Sequence, residues 1–176
     1  WCPVLGARQV RFGEVLGQRF TASVSLYNET MLVAGALLAR EGEGDQGNPP
    51  ALAALSLGHS IGLGVARRSS SGAPDVIAPN FGHMLHVPGG ALCRCGSKGC
   101  IEAYCGFYGI LRTAFEVPIT TIPAAFVPLV EVEKIAMTAR AGNRTAALAF
   151  RQAGLALGNG LSRLFSLHGV MPVVVT

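Results

Sequence analysis

The chain has 176 residues, half of them hydrophobic, and a formal net charge of +4. That is enough apolar material to bury one core, and the charge is too mild and scattered for a nucleic-acid surface: Arg67 and Arg68 are the only adjacent basic pair. Five cysteines, an odd number with four inside Cys93 to Cys105, argue against a secreted disulfide scaffold and for a reducing cytoplasm.

Trp1 to Arg8 has neither the charged leader nor the apolar core of a signal peptide. No apolar stretch reaches membrane-spanning length, and Leu157 to Val175 is interrupted by Arg163, His168 and Pro172. In chain order, Val10 to Phe20 carries helical apolar spacing and Ser23 to Tyr27 alternates like a short strand. Asn28 and Glu29 follow, and Thr30 is placed to cap a helix running to Leu38 or Ala39. Glu41 to Pro50 is a loop. Ala51 to Ser56 and Ile61 to Arg67 are two strands joined by a hairpin, and Ser69 to Pro79 is a second loop. The cysteine-bearing stretch is irregular up to Cys100, and a helix runs from Ile101 to about Phe115. Val117 to Pro128 contains three prolines and is a broken connection. A short helix covers Glu131 to Arg140, and Asn143 caps a long one from Arg144 to about Leu167. Gly154, Gly158 and Gly160 lie inside that helix, where close packing against a neighbour is the expected reason for them. A last strand, Pro172 to Thr176, ends the chain. Strands alternating with helices indicate an α/β fold. The chain starts without Met and stops inside an apolar strand, so it reads as a fragment truncated at both ends.

His83, Cys93, Cys95 and Cys100 offer one imidazole and three thiolates, the donor set of a closed, structural zinc shell. Gaps of nine, one and four residues separate them, and Gly96 and Gly99 provide the backbone freedom to wrap one ion. The competing reading is a group of buried free thiols beside a surface histidine. His86 is the rival ligand to His83, while Cys2 and Cys105 read as core residues.

Gly82-His83-Met84, Pro88-x-Gly90 and Cys93-x-Cys95-Gly96-x-x-Gly99-Cys100-x-Glu102 together resemble the signature of the ROK family of sugar-responsive repressors and sugar kinases. Leu57-Gly58-His59-Ser60-Ile61-Gly62-Leu63-Gly64 resembles that family's phosphate hairpin, and Asn28-Glu29 its Asn-Asp pair. Ala153 to Leu161 resembles its long helix before the last core strand. The resemblance covers nearly the whole chain. It implies an actin-like, ribonuclease-H-like sugar-kinase fold, here the C-terminal lobe, with a zinc-binding loop inserted at about residues 80–102. It also implies a sugar site at Asn28, Glu29, Asn80, His83 and Glu102, and a phosphate hairpin with Gly58, Gly62 and Gly64. Taken alone, Glu102 reads as an ordinary solvated helix carboxylate.

Two positions depart from the family pattern. Glu29 stands where the kinases have an aspartate base, and Asn80 where the family has a glutamate. A longer stem displaces the carboxylate, and Asn loses the charge and one acceptor. The kinases' Asp-x-Gly-x-Thr loop has only a partial echo in Asp45-Gln-Gly47-Asn-Pro49. The expectation is therefore the sugar-binding and dimerising core of a ROK-type transcriptional regulator. It would bind DNA through a domain not in this chain and form a homodimer or higher homo-oligomer with no membrane contact. The alternative is an ATP- and Mg2+-dependent sugar kinase with Glu29 as general base. A third reading is a zinc-stabilised dimerisation module without ligand.

Overall fold

The structure, a computed structural model, describes residues 10–20, 23–40, 49–70 and 72–176. Cys2, the stretch Trp1 to Arg8, most of the Glu41 to Pro50 loop and the Asp45-Gln-Gly47 echo lie outside the described residues.

Ala51–Leu57 (β1) and Ile61–Arg67 (β2) form the expected antiparallel hairpin, in register from Ala51 opposite Arg67 to Leu57 opposite Ile61. Asp75–Ile77 (β3) pairs with β2, and Val173–Val175 (β4) pairs in parallel with β1, giving the order β3-β2-β1-β4. The Ser69 to Pro79 stretch, expected to be all loop, therefore contains a strand. Its three residues are too few for an alternating pattern, and the free edge of β2 supplies the hydrogen-bonding partner. Ser23 to Tyr27 goes the other way. It alternates in sequence, yet among the described residues it pairs with no strand, and Leu26 and Tyr27 are exposed. Alternation sets the side-chain faces, but a strand also needs a partner for its backbone groups.

Both faces of β1 are covered, so it is buried from Ala51 to Leu55. Leu52 and Ala54 meet Ala34 and Leu38 of helix α2 (Glu29–Arg40), together with Ala66 of β2. Ala51, Ala53 and Leu55 alternate to the opposite face and join the larger core with Leu63, Val65 and Phe81. Burying a leucine such as Leu38 or Leu52 is worth roughly 2 kcal/mol. The first helix, α1 (Phe12–Arg19), buries none of its residues. Helix α2 is capped by Asn28, not by Thr30. The Asn28 Oδ1 accepts the Thr30 backbone N–H at 3.0 Å and its hydroxyl at 2.7 Å, so Thr30 lies inside the first turn.

The helix expected from Ile101 is broken into α3 (Glu102–Cys105) and α4 (Phe107–Ala114) by Gly106, whose ψ is 157°. Helix α5 (Leu129–Arg140) follows Pro128. Helix α6 (Arg144–His168) begins at Asn143, whose Oδ1 accepts the Ala146 N–H at 2.9 Å. Its buried stripe is Ala146, Ala149, Ala153, Ala156, Gly160 and Leu164, mostly small residues that let it pack closely on α3, α4 and α5. A Cβ on Gly160 would stand 2.6 Å from Phe81 Cζ and Ile101 Cδ1, as the close-packing argument requires. Gly154 and Gly158 meet nothing within 4 Å, so that argument does not hold for them.

Candidate functional site

A cleft of about 260 Å³ opens where the tip of the β1–β2 hairpin, the start of α2 and the cysteine-bearing stretch meet. Its wall includes Asn28, Thr30, Ser60, Gly62, Asn80, His83, Arg94 and Glu102. Glu102 is 3% exposed, not the solvated helix carboxylate its sequence position suggests. Its Oε2 accepts the Ile61 backbone N–H at 3.1 Å, and the Tyr108 hydroxyl lies 3.3 Å from its Oε1. Two held oxygens at the cleft wall are a preorganised acceptor pair, because a buried carboxylate is tolerated only when it is hydrogen-bonded.

The cysteine stretch owes its shape to bonds within itself. His86 N–H and Val87 N–H both donate to Gly99 O, at 2.7 and 3.1 Å, Gly99 N–H donates to Ala91 O, and Ile101 N–H to Met84 O. Gly99 adopts φ 83°, and a Cβ there would fall 1.7 Å from Val87 O, so no other residue fits. From outside, the Tyr104 hydroxyl accepts the Ala91 N–H at 3.0 Å. Arg112 Nη2 donates to Leu92 O and Thr121 O, tying this stretch to the proline-bearing connection.

The result is a cluster. One ligand atom each from His83, Cys93, Cys95 and Cys100 lies within 4.8 Å of all the others, a group that could hold a metal ion. His83 Nδ1 is 3.7 Å from Cys93 Sγ, and Cys95 Sγ is 3.7 Å from Cys100 Sγ. Burial first, then the neighbouring Cys93, push the Cys100 thiol well above its ordinary range. Thiolates crowded in this way are favoured when a cation sits among them. Cys105 is buried apart from the cluster, and burial takes its thiol up to about 12, as suits a core residue. His86 is not in the cluster: its Nδ1 faces Asn159 Nδ2 at 3.2 Å and its ring meets Tyr104 edge-on.

The sequence profile of the ROK family matches residues 2–176. The chain belongs to the ROK family. Its curated relatives include a glucokinase of Streptomyces coelicolor, 33% identical over 135 residues that take in 69% of this chain and 41% of the relative. Another is a glucokinase of Thermotoga maritima, 37% identical over 62 residues, or 35% of this chain and 20% of that one. Among solved structures, a ROK family glucokinase from Streptomyces griseus in complex with glucose and AMPPNP superposes with a TM-score of 0.65 at 24% identity. That match covers 99% of this chain and 58% of the other. A ROK family transcriptional regulator, a homolog of the E. coli MLC protein, gives 0.62 at 22% identity over 93% of this chain and 41% of that one. The fold is thus the α/β fold of ROK sugar kinases, and the chain spans only part of the length of its relatives.

Of the positions that the ROK resemblance marks for a sugar, Asn28, Asn80, His83 and Glu102 line one cleft, and His83 also belongs to the cysteine cluster. Glu29 does not line it. Although its neighbours Asn28 and Thr30 do, Glu29 borders a second cavity of about 40 Å³, which shares Thr30 with the cleft and is otherwise lined by Val33, Ala54, Ser56 and Thr176. Of the hairpin glycines only Gly62 reaches the cleft. A Cβ on Gly64 would stand 2.0 Å from Thr30 O and one on Gly62 2.6 Å from Thr30 Cγ2, so both let α2 close on the sheet. Gly58 leaves its carbonyl to the Phe107 N–H. Sequence reasoning missed Arg94, Ser60 and Tyr108. Nothing in their local pattern marks them, since each is brought to the site by the fold around it. No helix among the described residues is long and apolar enough to cross a membrane.

Proposed function

We propose that this chain is the sugar-binding, dimerising core of a ROK-type transcriptional regulator, built around a structural zinc. The observation that carries this reading is the separation of binding from base. Asn28, Asn80, His83 and Glu102 converge on one cleft, while Glu29, which the ROK resemblance puts at the place of the kinases' base, borders a neighbouring cavity that shares Thr30 with it. Side-chain amides, an imidazole and a held carboxylate suit hydroxyls, which both donate and accept. A general base must lie within hydrogen-bond reach of the proton it takes.

Zinc fits the donor set. A tetrahedral ion with Zn–S bonds of about 2.3 Å has S–S edges of about 3.8 Å, and the Cys95–Cys100 separation is 3.7 Å. His83, Cys93, Cys95 and Cys100 would hold it, and its contribution would be architectural. Tyr108 supports a link between metal and ligand, because its hydroxyl lies 3.4 Å from Cys93 Sγ and 3.3 Å from Glu102 Oε1. Sugar binding would bias the arrangement of DNA-reading domains outside this chain by its differential affinity for the two states. Exposed Leu155, Leu167 and Val170 on and after α6 suit contact with a second copy.

The second reading is a glucokinase-like sugar kinase, using ATP and Mg2+ with Glu29 as base. The Streptomyces coelicolor glucokinase favours it. Thermal stabilisation of the full-length protein by a panel of sugars and by ATP separates the two. Stabilisation by a sugar and not by ATP is expected for the regulator. Stabilisation by both, with phosphorylation of the sugar, makes the protein a kinase.

A further inference from the structure

Arg94 stands between two of the clustered cysteines, and its side chain reaches the cleft wall. Its guanidinium lies over the Tyr108 ring, 4.5 Å from the centroid. Nε and Nη2 are buried and have no hydrogen-bond partner among the described residues. Buried donors are almost always paired, and orphaning those of a cation is costly. Among the described residues no carboxylate answers it. The ion pairs among the described residues are Arg11–Glu14 and Lys134–Glu131, and both oxygens of Glu102, the one carboxylate of the cleft wall, already face donors. Around Arg94 the wall offers neutral polar groups: Asn28, Thr30, Ser60 and Asn80.

We propose that the ligand of this cleft is an anionic sugar, a sugar phosphate or a sugar acid, and that Arg94 receives its phosphate or carboxylate. The proposal rests on the sugar-binding reading and specifies the class of sugar. A guanidinium presents parallel N–H donors that match the oxygens of either anion, and charge-assisted bonds of this kind are the strong ones. Contact with the Tyr108 ring restrains the guanidinium before the ligand arrives. A neutral sugar would leave the cation at the cleft wall without a counter-charge. The competing role for Arg94 is to balance the charge of the neighbouring thiolates, and that role predicts a different result.

The test is calorimetric titration of the full-length, zinc-loaded protein. The probes are glucose, mannose and N-acetylglucosamine, each beside its 6-phosphate, glucuronate beside glucose, and inorganic phosphate alone. At least one charged sugar is expected to bind about tenfold or more tightly than its neutral parent. The 6-phosphate and glucuronate arms tell which anion is recognised. Arg94→Gln should reduce that preference to about twofold or less while zinc content stays the same, and Arg94→Lys should restore part of it. Equal or tighter binding of the neutral sugars by the wild-type protein overturns the proposal and leaves the sugar-binding reading standing. Failure of every sugar, or inorganic phosphate binding as tightly as any sugar phosphate, overturns both. Loss of zinc from Arg94→Gln with the charge preference intact assigns Arg94 to the thiolates and also overturns the proposal. The wild-type arm decides even if the variants do not fold.

Discussion

Helix α1 has a regular backbone and buries none of its residues, whereas the stretch from Phe81 to Cys100 contains one 3-10 turn and two isolated bridges and buries Phe81, Gly82, Ala91, Cys93, Gly99 and Cys100. Helical regularity needs only local backbone bonds. Order in an irregular loop has to come from bonds inside it, and here also from Tyr104, Arg112 and Gly160 outside it. A site built in this way is specific because many separate constraints hold it, and it is sensitive to the loss of any one of them.

The largest effect should come from the cluster. Cys100→Ser removes a buried donor of the proposed metal site, so metal content should fall and the melting temperature drop by on the order of 10 °C, since structural zinc contributes folding energy directly. Full metal content with an unchanged melting curve would erase the contrast between the two regions. Next come two glycines on one helix, with opposite signs expected. Gly160→Ala forces a methyl to within 2.6 Å of Phe81 and Ile101 and should cost roughly 1–3 kcal/mol in a chemical denaturation series. Gly154→Ala meets nothing within 4 Å and should gain roughly 0.5–1 kcal/mol.

A smaller effect concerns His59 at the hairpin tip. Its Nδ1 accepts the Val127 N–H at 3.3 Å, and its ring stacks on Phe126 at 4.5 Å. Burial, and then Arg94, hold its pKa below the ordinary 6.5. The unfolded chain therefore takes up the proton first as pH falls. The His59 contribution is complete above about pH 6.5 and is lost as pH falls from there through the lower folded value. Melting temperatures of wild type and His59→Phe should converge in acid, and a constant difference across pH would contradict this. The smallest effect belongs to α1. Val15→Ser, at a 52% exposed position, should shift the stability of this chain by less than about 0.5 kcal/mol.

What could be read from the sequence followed the same division. The β1–β2 hairpin, the Asn143 cap and the clustering of His83, Cys93, Cys95 and Cys100 were legible because each is a local pattern of apolar alternation, a cap residue, or side chains with glycine between them. Strand β3 was not, because three residues carry no period and the edge of β2 makes the strand. Ser23 to Tyr27 carried the period without the partner. Gly62 and Gly64 were equally compatible with a phosphate hairpin and with a close helix, and only the position of Thr30 accounts for them by packing. Glu29 has neighbours on both sides in the cleft and borders a different cavity, a matter of helix geometry that the order of residues does not display. Arg94 and Tyr108 gain their meaning from each other, 14 positions apart along the chain and 4.5 Å from guanidinium to ring centre in the fold.

The central claim is that the cysteine cluster, by holding a metal, holds the ligand-binding wall that contains His83 and Glu102. The direct measurement is sugar affinity of the full-length protein as purified, after chelation, and after zinc is restored, with bound metal quantified at each step. The account predicts that affinity disappears with the metal and returns with stoichiometric zinc. Undiminished sugar affinity in the metal-free protein would contradict it.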